Sequence, residues 1–214
     1  IVEYVYDSSN RVTKETHKRY KGRFYPIDGT FSGDITALYN TTYSYNDFGQ
    51  MTYSRTYDSS DTSKSSATTT EYNVTTPTHI FGTVSSETDT LGNTTYYFYN
   101  EDNGRLLATI YPEGNGVSYQ YDAVGNLTMV LPADINSTST GYTSNTSSAS
   151  VSYDYNDTTQ RLDAITTKPS STMSTTYTFM YDGFGNTTGI YVGIRTLADY
   201  TYNTNNGKLS VLSY

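Results

Sequence analysis

Few residues in this chain could carry catalysis. It has two histidines, His17 and His79, and no cysteine. A zinc site or a serine–histidine pair needs imidazole held beside partner ligands or a nucleophile. Neither histidine lies in such a phrase, and no Gly-x-Ser-x-Gly, P-loop or Gly-x-Gly-x-x-Gly occurs. Glu87 and Asp89 are the nearest thing to a carboxylate pair for glycoside hydrolysis, but they stand two apart in a strand-like stretch. Glu101, Asp102 and Asn103 precede Gly104 without the ligand spacing of an EF-hand loop, so turn chemistry accounts for them. Eight Asn-x-Ser/Thr sequons begin at Asn40, Asn73, Asn93, Asn126, Asn136, Asn145, Asn156 and Asn186. They would suit a glycosylated secreted protein, but a Thr-rich chain with repeated Gly-Asn also generates them by composition. The expectation is a chain that is not an enzyme and uses no metal or cofactor.

What the sequence repeats is a turn. YDAVGNLT runs from Tyr121, YDGFGNTT from Tyr181 and YNDFGQMT from Tyr45. Looser copies start at Tyr6, Tyr99, Tyr155 and Tyr202, and one without tyrosine, TDTLGNTT, starts at Thr88. Around the best copy Val117, Tyr119 and Tyr121 alternate before the turn, and Leu127, Met129 and Leu131 alternate after it. Period two over five or six residues marks a half-buried strand. Asp122 can bond its own backbone and Gly125 can take positive φ, so a type I turn closed by a bulge is expected between the strands. The same pattern places Tyr177, Phe179 and Tyr181, then Thr95, Tyr97 and Tyr99, then Val151, Tyr153 and Tyr155, each on one strand face. Residues Tyr6, Tyr45, Gly49, Gly92, Tyr99, Gly104, Tyr121, Asp122, Gly125, Tyr155, Tyr181, Asp182, Gly185, Tyr202 and Gly207 are therefore expected to be the structural residues of the repeat.

Spacings of 22 residues from Tyr99 to Tyr121, 26 from Tyr155 to Tyr181 and 21 from Tyr181 to Tyr202 give a period near twenty. Repetition at such a period signals units that stack to share a core. The sequence predicts an all-β fold of stacked hairpins in a twisted, coiling antiparallel sheet over 1–214. Ser/Thr-rich stretches at 58–70 and 136–150 read as inserted surface loops or long irregular hairpins, and 20–33 as an irregular connection with Pro26 as a breaker.

Composition fits this. Hydrophobic residues make up only 35% of the 214, but 25 Tyr and 7 Phe supply ring surface for a core. No apolar run is long enough to span a membrane as a helix. The net charge of −8 argues against nucleic acid, which needs a positive face. Charge is uneven: six basic residues against three acidic ones give 1–23 a net +3, which leaves −11 for the rest. The basic run reads as a solvated strand pair or as a contact with an acidic neighbour.

At these phrases the chain resembles the tyrosine–aspartate (YD) or Rhs repeat proteins, whose phrase is Tyr-Asp, two or three residues, Gly, a basic or amide residue, then Leu or Thr. Tyr121–Thr128 and Tyr181–Thr188 match it, and Tyr45–Thr52 and Tyr202–Ser210 match with Asn for Asp. The family includes bacterial Rhs toxins, the B and C components of insecticidal toxin complexes, wall-associated bacterial proteins and animal teneurins. The resemblance implies a segment of a β-spiral shell that encloses or presents a toxin effector. It implies a secreted or cell-surface location and, as partners, the remainder of the shell and its effector. An extracellular module binding carbohydrate or a cell surface through exposed tyrosines is the alternative. The Asp-Pro-x-Gly plug phrase of the toxin shells is absent, and a whole shell needs far more than 214 residues. The chain is expected to be a piece of such a wall or a small relative of it.

Overall fold

In the computed structural model, residues 1–25, 30–73, 82–136, 141–146 and 149–214 are described. These residues form strands and turns and no helix. They divide into two units, Ile1–Arg105 and Leu106–Tyr214.

Unit 1 is a meander of seven strands: β1 (Val2–Tyr6), β2 (Val12–Tyr25), β3 (Thr30–Tyr45), β4 (Met51–Asp58), β5 (Ser65–Tyr72), β6 (Val84–Thr88) and β7 (Thr94–Tyr99). Each pairs antiparallel with the next. Unit 2 holds β8 (Leu106–Ile110), β9 (Asn115–Tyr121), β10 (Leu127–Ile135), β11 (Tyr142–Ser144), β12 (Ser150–Tyr155), β13 (Leu162–Ser170), β14 (Met173–Tyr181), β15 (Thr187–Val192), β16 (Arg195–Tyr202) and β17 (Leu209–Ser213). It is also an antiparallel meander, with one departure. β10 pairs near Met129 and Val130 with β12, and from Ala133 to Ile135 with the short β11.

Two stretches carry more strand than the sequence suggests. The 58–70 stretch turns between Asp58 and Lys64 and then enters β5, so only its first half is a connection. Its threonines supply the β propensity that its few apolar residues do not. The 20–33 stretch lies mostly in β2 and β3, which pair from Tyr20 opposite Ile35 to Tyr25 opposite Thr30. Within 136–150, β11 is a short strand and residues 137–140 and 147–148 lie outside the described residues.

The buried apolar side chains among the described residues are Ala108, Ile110, Leu131, Ala133 and Ala198, all in unit 2. Four of them sit on β8 and β10, flanking β9. Ser118 on β9 is buried with them and exchanges a 2.8 Å hydrogen bond with Ser144 of β11. Gly116 has a packing reason to lack a side chain, since a Cβ there would stand 2.0 Å from the Thr109 carbonyl. Among the described residues of unit 1 the buried side chains are polar: Asn40, Thr70 and Ser86. Asn40 accepts from Thr16 and donates to Ser59, and Ser86 donates to Glu71.

Candidate functional site: the turn and tyrosine ladder

The repeated phrase builds two kinds of turn. In the five-residue kind the first residue's N–H donates to the fifth residue's carbonyl, and the fourth residue's N–H donates back to the first. Asp7–Arg11, Asn46–Gln50, Asp89–Asn93, Asp122–Asn126 and Asp182–Asn186 share this closure. The fourth residue has positive φ: +62° at Asn10, +84° at Gly49 and Gly92, +109° at Gly125 and +94° at Gly185. In the six-residue kind, at Asn100–Arg105, Asn156–Arg161 and Asn203–Lys208, the left-handed residue moves to the fifth place, at Gly104, Gln160 and Gly207.

The first side chain stitches each turn from inside. One carboxylate oxygen of Asp182 accepts from the N–H groups of Phe184 and Asn186, and the other accepts from the Asn186 side-chain amide. Asp122 does the same with Gly125 and Asn126, and Asp89 with Leu91 and Asn93. Asp7 replaces the amide with the Arg11 guanidinium at 2.7 Å. Asn46 has no second oxygen, so its NH2 donates to the Gln50 side-chain carbonyl instead. Hydrogen bonding to an ionised acid favours the charged form. The Arg11 backbone N–H holds the Asp7 carboxyl below the usual range, and the side-chain amides of Asn93 and Asn186 do so for Asp89 and Asp182. At Asp122 partial desolvation pushes the other way, but the Asn126 donors outweigh it.

The tyrosine before each turn joins one hairpin to the one before it. Each is paired with the first residue after its own turn: Tyr6 with Val12, Tyr45 with Met51, Tyr72 with Val84, Tyr121 with Leu127, Tyr155 with Leu162, Tyr181 with Thr187 and Tyr202 with Leu209. A register shift accompanies every one of these pairs, so a bulge turns the strand end. In five of these seven the tyrosine hydroxyl reaches back to the corresponding first residue of the preceding hairpin's exit strand. Tyr45 donates to Val12 O at 2.7 Å and Tyr72 to Met51 O at 2.8 Å. In unit 2, Tyr121 donates to Leu106 O at 2.9 Å, Tyr181 to Leu162 O at 2.8 Å and Tyr202 to Thr187 O at 3.0 Å. Partial burial raises the phenol pKa of Tyr99, Tyr155 and Tyr181. Their rings are half-buried, as are those of Tyr97, Tyr119, Tyr153 and Tyr177.

A third contact ties turn to turn, which explains the basic or amide residue closing the phrase. Arg11 lies 4.9 Å over the Tyr45 ring and donates to Asn46 O. Arg161 repeats this over Tyr181, donating to Asp182 O. Gln50 donates to Gly82 O, and Asn126 to the Gln160 side chain.

Two residues of the ladder correct the phrase count. Tyr72 is a ladder tyrosine: the Asn73 N–H after it donates to Thr83 O, and residues 74–81 lie outside the described residues. The available signal was Tyr72-Asn73 answered by Gly82-Thr83-Val84. Conversely, the turn at Gly92 joins β6 to β7, and in an antiparallel meander that places it at the opposite edge from the turns at Asp7, Asn46 and Asn73. A tyrosine at Thr88 would have no ladder to join there; Thr88 instead bonds the Thr94 hydroxyl.

No group of three or more potential metal-ligating side chains occurs among the described residues. His17 stacks on Tyr39 at 4.3 Å beside Glu15, and His79 lies outside the described residues. Glu87 accepts from the Tyr97 hydroxyl, while Asp89 is committed to its turn. A groove of about 380 Å³ in unit 2, lined by Val117, Val130, Leu131, Pro132, Val151 and Pro169 among others, is apolar and presents no catalytic set.

The RHS Repeat family profile matches residues 99–134, from Tyr99 at the end of β7 through the Tyr121 hairpin. Residues 99–134 thus carry an RHS repeat. Crystal structures of TcdB2–TccC3 share the fold of this chain. One with Cdc42 in its name aligns over 97% of the chain at 14% identity and TM-score 0.59. TcdB2–TccC3 itself aligns over 94% at 15% identity and TM-score 0.56. The chain spans 12% of either of those chains. None of the curated proteins matches it.

Proposed function

We propose that residues 1–214 are a single RHS-repeat region serving as a non-catalytic wall segment of a larger shell, which encloses or presents an effector in the parent protein. The observation carrying this reading is the tyrosine ladder. The side chains that repeat bond to neighbouring hairpins, so the repeat chemistry is used up in building a wall. The fifteen phrase residues named from the sequence act, in this reading, as turn formers and hairpin ties. The fold shared with TcdB2–TccC3 supports the shell, and secretion follows from the same family resemblance.

Limited proteolysis of the parent protein tests the proposal. A polypeptide that resists protease in the intact parent, and is digested once Tyr121, Tyr181 and Tyr202 are changed together to Phe, is the expected result. Equal cleavage in both proteins overturns it. The carbohydrate reading needs aromatic faces open to a sugar, and the half-buried ladder rings do not favour it.

A further inference from the structure

β3 outruns the strand beside it, and the excess has an open edge. With β2 it stays paired as far as Thr30 opposite Tyr25. With β4 it pairs only up to Tyr39 opposite Asp58. The Ser59 N–H then donates to Leu38 O, and the chain turns away between Asp58 and Lys64. Over residues 30–37 no described residue pairs with β3 on its β4 side. This edge is bounded by the end of β4, inside the chain. The direction of its backbone groups follows from β1. Ile1 and Lys18 exchange N–H···O bonds both ways, so Lys18 aims its backbone groups at β1. Such pairs alternate along antiparallel strands. Arg19 and Lys21 therefore aim theirs at Thr36 and Asp34, while Ile35 and Ala37, opposite Tyr20 and Lys18, aim theirs at the open side. An open edge is a template for strand addition unless something such as proline or a charge blunts it. The outward positions here are Gly33, Ile35 and Ala37, and the Ile35 side chain is 52% exposed. The cations stand one strand further in. Arg19, Lys21 and Arg23 alternate along β2 opposite Thr36, Asp34 and Ser32, three positive residues against one negative. Arg19 and Lys21 are exposed.

We infer that the open edge of β3 takes up an extended acidic strand of a partner protein, antiparallel, with carboxylates opposite Thr36 and Ser32 and a neutral residue opposite Asp34. Backbone bonds to Ile35 and Ala37 supply the affinity, as in other strand additions. Charge supplies the choice of partner. The added strand lies about 9–10 Å from β2, two strand spacings, so Arg19 and a glutamate can meet across the small Thr36 side chain. A carboxylate opposite Asp34 would be repelled, which is why that position is neutral. A second copy of the same edge is a poor occupant, because it brings one set of cations against another. A phosphate, a sulfated sugar or an anionic membrane would answer the cations but leave the alternating N–H and C=O groups unmatched. The inference stands apart from the wall reading, since it concerns strand backbone that carries none of the repeated turns.

The probe is a dye-labelled, amidated peptide, Val-Glu-Val-Thr-Val-Glu-Val, titrated with the chain and read by fluorescence anisotropy. Its counterpart Val-Lys-Val-Thr-Val-Lys-Val is expected to bind about tenfold more weakly, the effect of reversing two cross-strand charge contacts. Ile35→Pro deletes an outward N–H and breaks no bond to β2, a position on an edge strand where proline is tolerated. It is expected to weaken the acidic probe about fivefold, the effect of one net hydrogen bond. Arg19→Glu combined with Lys21→Glu is expected to reverse the preference between the two peptides. Equal binding of both peptides, or no binding of either, overturns the inference. So does undiminished binding to Ile35→Pro, and if phosphatidylserine vesicles then displace the acidic peptide, the surface is one for polyanions. A β-type circular dichroism spectrum shows that each variant folds. The comparison of the two peptides needs no variant, so it decides even where a substitution unfolds the chain.

Discussion

The two units use the same turns and the same ladder but are held together differently behind them. Unit 2 closes a small core under β8 to β11, where Ile110 and Leu131 are enclosed. Unit 1 has long strands, β2 and β3, whose described positions bury no apolar side chain, and its buried side chains among the described residues are the polar Asn40, Thr70 and Ser86. Burial of apolar area is the main stabilising term in folding, so the described residues of unit 2 supply an anchor that those of unit 1 do not. Unit 1 relies correspondingly more on its backbone ladders, on Asp7–Arg11 and on the tyrosine rungs. The repeat itself is thus a connecting device, and the local core is a separate addition.

The largest expected break in that comparison is in the unit 2 core. Ile110→Ala and Leu131→Ala should each cost about 2–5 kcal/mol, the range for emptying a packed aliphatic site. Ile35→Ala on the exposed part of β3 should change stability by less than about 0.5 kcal/mol. Urea titrations of the three variants check this, and a loss at Ile35 comparable to that at Ile110 would show that unit 1 has a core of its own.

Next in size is the backbone of the turns. Gly185 has φ of +94°, and a Cβ there would stand 2.5 Å from the Arg161 guanidinium. Gly185→Ala should cost about 1–2 kcal/mol, the penalty of a left-handed L-residue. At the same place in unit 1 the chain already carries Asn10, so Asn10→Gly should leave stability unchanged or slightly higher. Thermal midpoints of the pair give opposite signs if the turns are equivalent across the units.

The turn chemistry was legible because it is local. Tyr121, Asp122 and Gly125 announce a strand end, an internal stitch and a left-handed residue within five positions. Edge parity was not legible. Whether the Gly92 turn belongs to the ladder depends on how many strands precede it, and β5 hides in a Ser/Thr-rich stretch that composition reads as loop. Tyr72 escaped for a related reason, since in the sequence its Gly82 stands nine positions after Asn73. The core was unreadable too. Ala108 and Ala133 are small residues, and they become buried only when β9 and the β11 excursion pack around them.

Removing a rung tests whether the ladder matters equally in both units. Tyr45→Phe in unit 1 and Tyr181→Phe in unit 2 each delete one hydroxyl-to-carbonyl bond, worth about 1 kcal/mol net. Equal losses in denaturant would mean that the rung is a uniform unit of cohesion. A larger loss at Tyr45 would mean that unit 1, whose described residues bury no apolar side chain, leans on it more.

Acid should probe the smallest contributions. The folded-state pKa values of Asp7, Asp89, Asp122 and Asp182 are depressed by the donors of their own turns, so these carboxylates bind protons less readily folded than unfolded. Such groups contribute stability that is present above the unfolded carboxylate pKa of about 3.9 and is lost as pH falls through the lower folded values. Thermal midpoints should hold between pH 7 and 5 and drop below about pH 4. Asp182→Asn should flatten part of that drop, because an amide keeps one acceptor for the Phe184 and Asn186 N–H groups but has no charge to titrate. Asp7→Asn should flatten more of it, since it also removes an ion pair with Arg11 that protonation would otherwise break. A midpoint curve that both variants leave unchanged would assign the acid response to carboxylates other than Asp7 and Asp182.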